Sequence, residues 1–135
     1  MEKYESKQVR INRSAETVYG LASNFNNFTS VLEDKVEDWH ATEDTCSFKV
    51  KGFNLSLQIA EKEEPTMIKV TGGDNSPLPF TFWMQLKEMA PDDTRMKLTL
   101  HAELPMMVKM MVGSKLREGI DQMAERIAEG FNTMP

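Results

Sequence analysis

A chain of 135 residues, 40% hydrophobic and 27% charged, has the make-up of one globular domain spanning residues 1–135 and not of a disordered segment. Its 16 Lys and Arg against 21 Asp and Glu leave a net charge of −5, which argues against non-specific nucleic-acid binding, because that needs a basic face to displace phosphate counterions. A lone cysteine, Cys46, forms no internal disulfide and with only two histidines builds no structural zinc site.

The first residues, Met1 to Lys7, contain no apolar run, so they read as neither signal peptide nor membrane anchor. No window approaches the roughly 18 apolar residues of a membrane span. The expected compartment is the cytoplasm, which also suits a free thiol. Gln8 to Asn12 alternates, with Val9 and Ile11 on one side, and predicts a half-buried strand. Ser14 is a suitable N-cap, and Val18, Leu21, Ala22 and Phe25 follow at the spacing of a short amphipathic helix. Asn24, Asn26 and Asn27 break it, and Phe28, Val31 and Leu32 repeat the spacing in a second short helical segment.

From Val36 the period becomes two. Strands are predicted over Val36 to Ala41, around Cys46, Phe48 and Val50, around Leu55, Leu57 and Ile59, and around Ile68 and Val70. Gly72 to Pro79 has strong turn chemistry and reads as a loop that gates an opening. Phe80, Phe82, Met84 and Leu86 alternate along one long strand, and Met96, Leu98, Leu100, Ala102 and Leu104 along the next, each roughly 33 Å at 3.3 Å per residue. Pro105 then opens a long amphipathic helix of about 25 residues with Leu116, Ile120, Met123, Ile127, Phe131 and Met134 as its apolar stripe. Seven strands span roughly 29 Å sideways, whereas one helix is only about 10–12 Å across. The sheet must therefore curl around the helix, with the short helices closing one end, and such a shape leaves apolar interior space.

Three segments carry a family resemblance. They are Val9 to Tyr19 continuing through Asn24-Phe25-Asn26-Asn27-Phe28, Thr94 to Leu100, and Leu104-Pro105 leading to Lys115-Leu116. Through them the chain resembles the helix-grip superfamily of START lipid-transfer domains, birch-pollen-allergen-type proteins and polyketide cyclase/dehydrase-like proteins (SRPBCC-type). The resemblance implies an α+β fold, a curved antiparallel seven-stranded sheet wrapped around a long C-terminal helix, with two short helices after the first strand. That fold hosts carriers, enzymes and adaptors alike.

The expected function is binding or carriage of a small hydrophobic, lipid- or polyketide-like ligand between the sheet and the long helix. The alternatives are a cyclase- or dehydratase-type enzyme in the same cavity and a protein-interaction adaptor. The expected ligand-binding residues are Trp39, Phe48, Leu57, Ile59, Phe80, Phe82, Met84, Leu98, Leu100, Met107, Met111, Leu116 and Ile120. No catalytic residue, metal ligand or cofactor is assigned, and neither nucleic acid nor a stable membrane anchor is expected. Met106, Met107, Met110 and Met111 either fill gaps in the core or suit varied apolar shapes with flexible, polarisable side chains; they cannot all face one stripe, so some line a cavity mouth or an interface. Inward strand positions hold only apolar groups and Cys46, which disfavours proton-shuttling chemistry unless Tyr19, Arg117 or Asp121 turns inward. An inward Trp39 would offer an N–H donor in the pocket, whereas Trp83 and His101 have outward parity. Gly113 is expected to mark a kink and Gly119 to leave room for packing or for a ligand, so that Gly119→Leu would shrink the cavity.

Overall fold

The computed structural model describes residues 2–50, 52–72 and 79–133. In chain order the elements are β1 (Glu2–Glu5), β2 (Val9–Ile11), α1 (Ala15–Ala22), a 3-10 turn (Phe25–Phe28), α2 (Thr29–Leu32), β3 (Glu37–Ala41), β4 (Thr45–Val50), β5 (Phe53–Glu63), β6 (Met67–Gly72), β7 (Phe80–Ala90), β8 (Asp93–Ala102) and α3 (Met106–Asn132). The strands form one antiparallel sheet in the order β1-β8-β7-β6-β5-β4-β3, and β2 joins β8 further along the same edge as β1. This is the expected meander, curled against a long C-terminal helix.

The alternation of Val9 and Ile11 marks only half of the first edge. β1 precedes it, and its one inward apolar residue, Tyr4, is too sparse a signal to announce a strand. The two halves are welded at Ser6, which is itself buried. The Ser6 N–H donates to the Leu98 carbonyl at 2.8 Å, and its Oγ accepts the Leu98 N–H at 2.8 Å. Side-chain pairing thus replaces a ladder bond where the strand breaks.

α1 begins at Ser14, whose Oγ accepts the Thr17 N–H, and the carboxylate of Glu88 takes the Ala15 N–H at 3.0 Å. Val18, Tyr19 and Ala22 are buried on its inner face. α3 packs over β1, β2 and β8. Hydrogen bonds hold it to that edge: Asp121 accepts the Lys7 N–H at 2.8 Å, and the Asn132 amide donates to the Arg10 carbonyl at 3.1 Å. Lys7 also pairs with Glu125.

The apolar stripe of α3 differs from the expected one. Ile120, Ala124, Ala128 and Phe131 are buried, while Met123 is 47% exposed. The alanines carry the helix close to the sheet, and Met123 falls outside the contact arc; Met134 lies outside the described residues. Gly119 is exposed with nothing within 4 Å of a built Cβ, so the room assigned to it is not in the interior, and Gly119→Leu would add bulk to solvent. Gly113 lies beside Tyr4, where a Cβ would make an ordinary contact at 3.8 Å with the hydroxyl, and α3 continues through it from Met106 to Asn132 without the expected break. Pro105 sits one position before α3, as its N-cap.

Candidate functional site

Strand register builds the concave face row by row. Ile59, Val70, Phe82, Leu100 and Tyr4 lie side by side across five strands, and Ile68, Met84 and Leu98 form the next row towards α1. Alternation puts all of them on one face. Their burial is graded. Ile68, Met84 and Leu98 are buried, with Leu98 at 0% exposure. In the row above, Tyr4 is covered by α3, whereas Ile59, Val70, Phe82 and Leu100 are only half-buried. Phe80, one residue pair further out, and Leu57, Phe48 and Trp39 on the far strands are half-buried as well. α3 covers the β1–β8 side of the concavity, and the apolar wall of β3–β7 is left partly open towards the end where α3 begins.

The expected site residues distribute as follows. Trp39, Phe48, Leu57, Ile59, Phe80 and Phe82 share that half-open wall, and Leu100 of β8 continues it beside Phe82. Met84, Leu98 and Ile120 are core, beneath or behind it, and Leu116 is half-buried on the inner side of α3. Met107 and Met111 are 76% and 72% exposed. At 100° per residue they point about 120° and 160° away from the direction in which Gly113 meets Tyr4, so they face solvent and not the wall. Residues 73–78 of the gating loop lie outside the described residues.

Trp39 stacks beside Phe48 at 6.0 Å between ring centroids, and its indole N–H donates to Thr29 Oγ1 at 2.8 Å. The donor expected for a ligand is thus already engaged. Trp83 and His101 meet edge-on at 4.7 Å, with Lys69 Nζ 6.0 Å from the indole. Register puts them on the opposite, convex face, as parity requires. Of the polar candidates, Arg117 lies over the Tyr4 ring at 5.8 Å and Asp121 is bound to the β1–β2 edge. Cys46, opposite Leu57, is buried, and burial pushes its thiol up to about 11. It remains protonated and unreactive near neutrality.

One polar residue, the exposed Lys62, has a register that the alternation argument misses. A bulge between Ile59 and Glu61 shifts the register by one, so that Lys62 pairs with the buried Ile68 and shares its face. Its ammonium lies 2.7 Å from Asp44 and 3.6 Å from Glu43 on the β3–β4 turn, and the Asp44 hydrogen bond raises its pKa. Nearby, burial, reinforced by the charge of Glu64, raises the pKa of Tyr19. Nothing in a two-fold hydropathy pattern reports a bulge. A separate open depression of about 480 Å³ lies at the start of α1, between Ser14, Pro65, Thr66, Lys87 and Asp92, and contains none of the expected site residues. Among the described residues no helix is long and apolar enough to cross a membrane.

No protein-family model and no curated protein matches the sequence. Solved structures do. A truncated norcoclaurine synthase from Thalictrum flavum superposes with a TM-score of 0.78 at 10% identity, covering 99% of this chain and 95% of that one. A START superfamily protein from Mycobacterium smegmatis gives 0.64 at 16% identity, over 94% and 97% of the two chains. The Aha1 dimer from Colwellia psychrerythraea gives 0.68 at 11% identity, over 99% and 100%. At such identities the likeness is one of architecture, and the chain has the START-like helix-grip fold.

Proposed function

We propose that the protein binds a small hydrophobic ligand between the half-open wall of β3–β7 and the first half of α3. The observation that carries this reading is the burial gradient across one continuous apolar face. Phe82 and Leu100 remain partly open to water while their row-mate Tyr4 and the next row, Met84 and Leu98, are buried. A concave apolar surface left wet favours an apolar occupant at about 25 cal/mol per Å² covered. The wall is supplied by Trp39, Phe48, Leu57, Ile59, Phe80 and Phe82, continued by Leu100 of β8, with Leu116 opposite.

Lys62 favours a second reading, an enzyme of cyclase or dehydratase type, because register sets this exposed, ion-paired residue on the same sheet face as Ile68, close enough to Tyr19 for its charge to be felt there. The same fold carries a synthase and a dimeric Aha1 protein, so architecture alone selects neither. Native mass spectrometry of gently purified protein, followed by solvent extraction, tests both. A stoichiometric apolar adduct supports carriage. An oxygenated adduct, retained by wild type and lost in Lys62→Met, supports the enzyme. Apo protein that also fails to take up any apolar probe refutes the ligand reading.

A further inference from the structure

We infer that the ligand is a single amphiphile with an acidic head group, and that Arg117 holds the head. The inference rests on the ligand reading above and names the class of molecule bound. It starts from the inner stripe of α3. At 100° per residue Met106, Met110, Arg117 and Ala124 lie within one arc of about 40°. Ala124 belongs to the buried stripe with Ile120, Ala128 and Phe131. The same helix face is therefore buried along its second half and open along its first, where Arg117 is exposed and Met110 and Met106 are 81% and 78% exposed. Two apolar surfaces, the start of this stripe and the wall of β3–β7, lie open towards the same end of the molecule. Arg117 stands where the helix stripe changes from buried to open.

Charge selects the head group. The Arg117 guanidinium lies 5.8 Å from the centroid of the Tyr4 ring, and Tyr4 is the row-mate of Leu100 and Phe82. A cation therefore stands at the head of the apolar row. Among the described residues no carboxylate forms an ion pair with it. Its acidic neighbours are engaged or turned away. Asp121, one turn further on, accepts the Lys7 N–H at 2.8 Å. Glu2, close enough to feel the Arg117 charge, is paired with Lys109 at 2.7 Å. Glu118 stands about 100° further round the helix. Lys62, set on the inner sheet face by register, is paired with Asp44 and Glu43 and has no charge to spare for a ligand. The guanidinium fork presents paired N–H donors that match a carboxylate or a phosphate, and a ring beneath it fixes its plane. A neutral apolar molecule would leave those donors unused. An acidic amphiphile sets its head on Arg117 and covers wall and methionines with its chain.

The test is displacement of a neutral naphthylamine probe from the full chain by dodecanoate, dodecyl phosphate and dodecanol. Wild type is expected to bind at least one of the acids about tenfold or more tightly than the alcohol, and the better acid identifies the head. High salt should narrow the gap, because Arg117 is exposed. Arg117→Gln, checked for native circular dichroism, should erase the preference for acid and leave dodecanol within about twofold. Arg117→Lys keeps the charge without the fork and should retain part of the preference. Met110→Gln should weaken acid and alcohol alike, by roughly threefold, through lost apolar contact. Equal affinity for acid and alcohol in wild type, or an acid preference that survives Arg117→Gln, overturns the inference and leaves the hydrophobic-ligand reading standing. Failure to take up the probe or any of the three compounds overturns both. A dimer in sedimentation velocity that Met106→Gln/Met110→Gln dissociates also overturns the inference, since a second copy would then cover the stripe.

Discussion

The division between wet wall and dry core gives a quantitative contrast between Leu98→Ala and Phe82→Ala. Leu98 has 0% exposure and lies in the row covered from the α1 side. Truncating a fully buried leucine costs about 2–5 kcal/mol. In a chain of this size each kcal/mol lowers Tm by about 3–5 °C, so a fall of roughly 6–25 °C is expected. Yet Leu98 offers no surface to a ligand, and affinity measured well below Tm should stay within about twofold, or ~0.4 kcal/mol. Phe82 is half-buried beside Val70 and Leu100. If about 50 Å² of a ring offering ~150–250 Å² remains open to an occupant, covering it contributes about 1.2 kcal/mol. Its loss therefore weakens binding roughly tenfold. The stability cost should be smaller than at Leu98, because the ring is only partly desolvated on folding. Thermal melts supply one axis, and titration with a naphthylamine probe that brightens in apolar surroundings supplies the other. If the two variants lost affinity equally while folded, or if Phe82→Ala left it unchanged, the assignment of Phe82 to an accessible wall would be wrong.

Three further outcomes follow from individual contacts. Ser6→Ala removes the acceptor for the buried Leu98 N–H and should destabilise by about 1–3 kcal/mol, read by urea melts, whereas Ser6→Thr should retain most of the stability. Cys46 should react with a thiol reagent in native protein at least tenfold more slowly than in urea at neutral pH, since its pKa stands near 11; equal rates would contradict its burial. The hydrogen bonds from Lys3 and Lys97 hold Glu5 down to about 2. A depressed carboxylate contributes stability above its unfolded value of about 4.3 and loses it as pH falls through the folded value. The Tm gap between wild type and Glu5→Gln should therefore be full at pH 6 and close by about pH 2, with high salt narrowing it throughout because these side chains are exposed.

Most of the fold is legible in the sequence because burial imposes a period. The alternations from Cys46 to Val70 and from Phe80 to Leu104, and the change of period after Pro105, each correspond to an element. Legibility fails where one residue carries the structure. β1 has a single inward apolar side chain, and Ser6 is polar yet buried because it completes a backbone pairing. Met123 and Ala124 show the same limit in a helix. Hydropathy prefers the methionine, but close approach to the sheet selects the alanine. At the site, parity finds the wall residues, because wall and core obey the same alternation. For that reason it cannot separate Phe82 from Leu98, whose difference depends on how far α3 reaches. It also misses Lys62, where one extra residue in β5 exchanges the two faces.

The far edge of the sheet has a consequence for solubility. β3 is the terminal strand, and its pairing with β4 shifts between Glu37 and His40, where Asp38 adopts a φ of 54°. A left-handed aspartate inside an edge strand turns the backbone out of line, and Glu37 and Asp38 add two exposed charges at the same point. An incoming strand would have to match that distortion and bury those carboxylates to extend the ladder. The sheet therefore terminates at β3, and edge-to-edge polymerisation is blocked there even though the neighbouring concave wall is apolar and partly open.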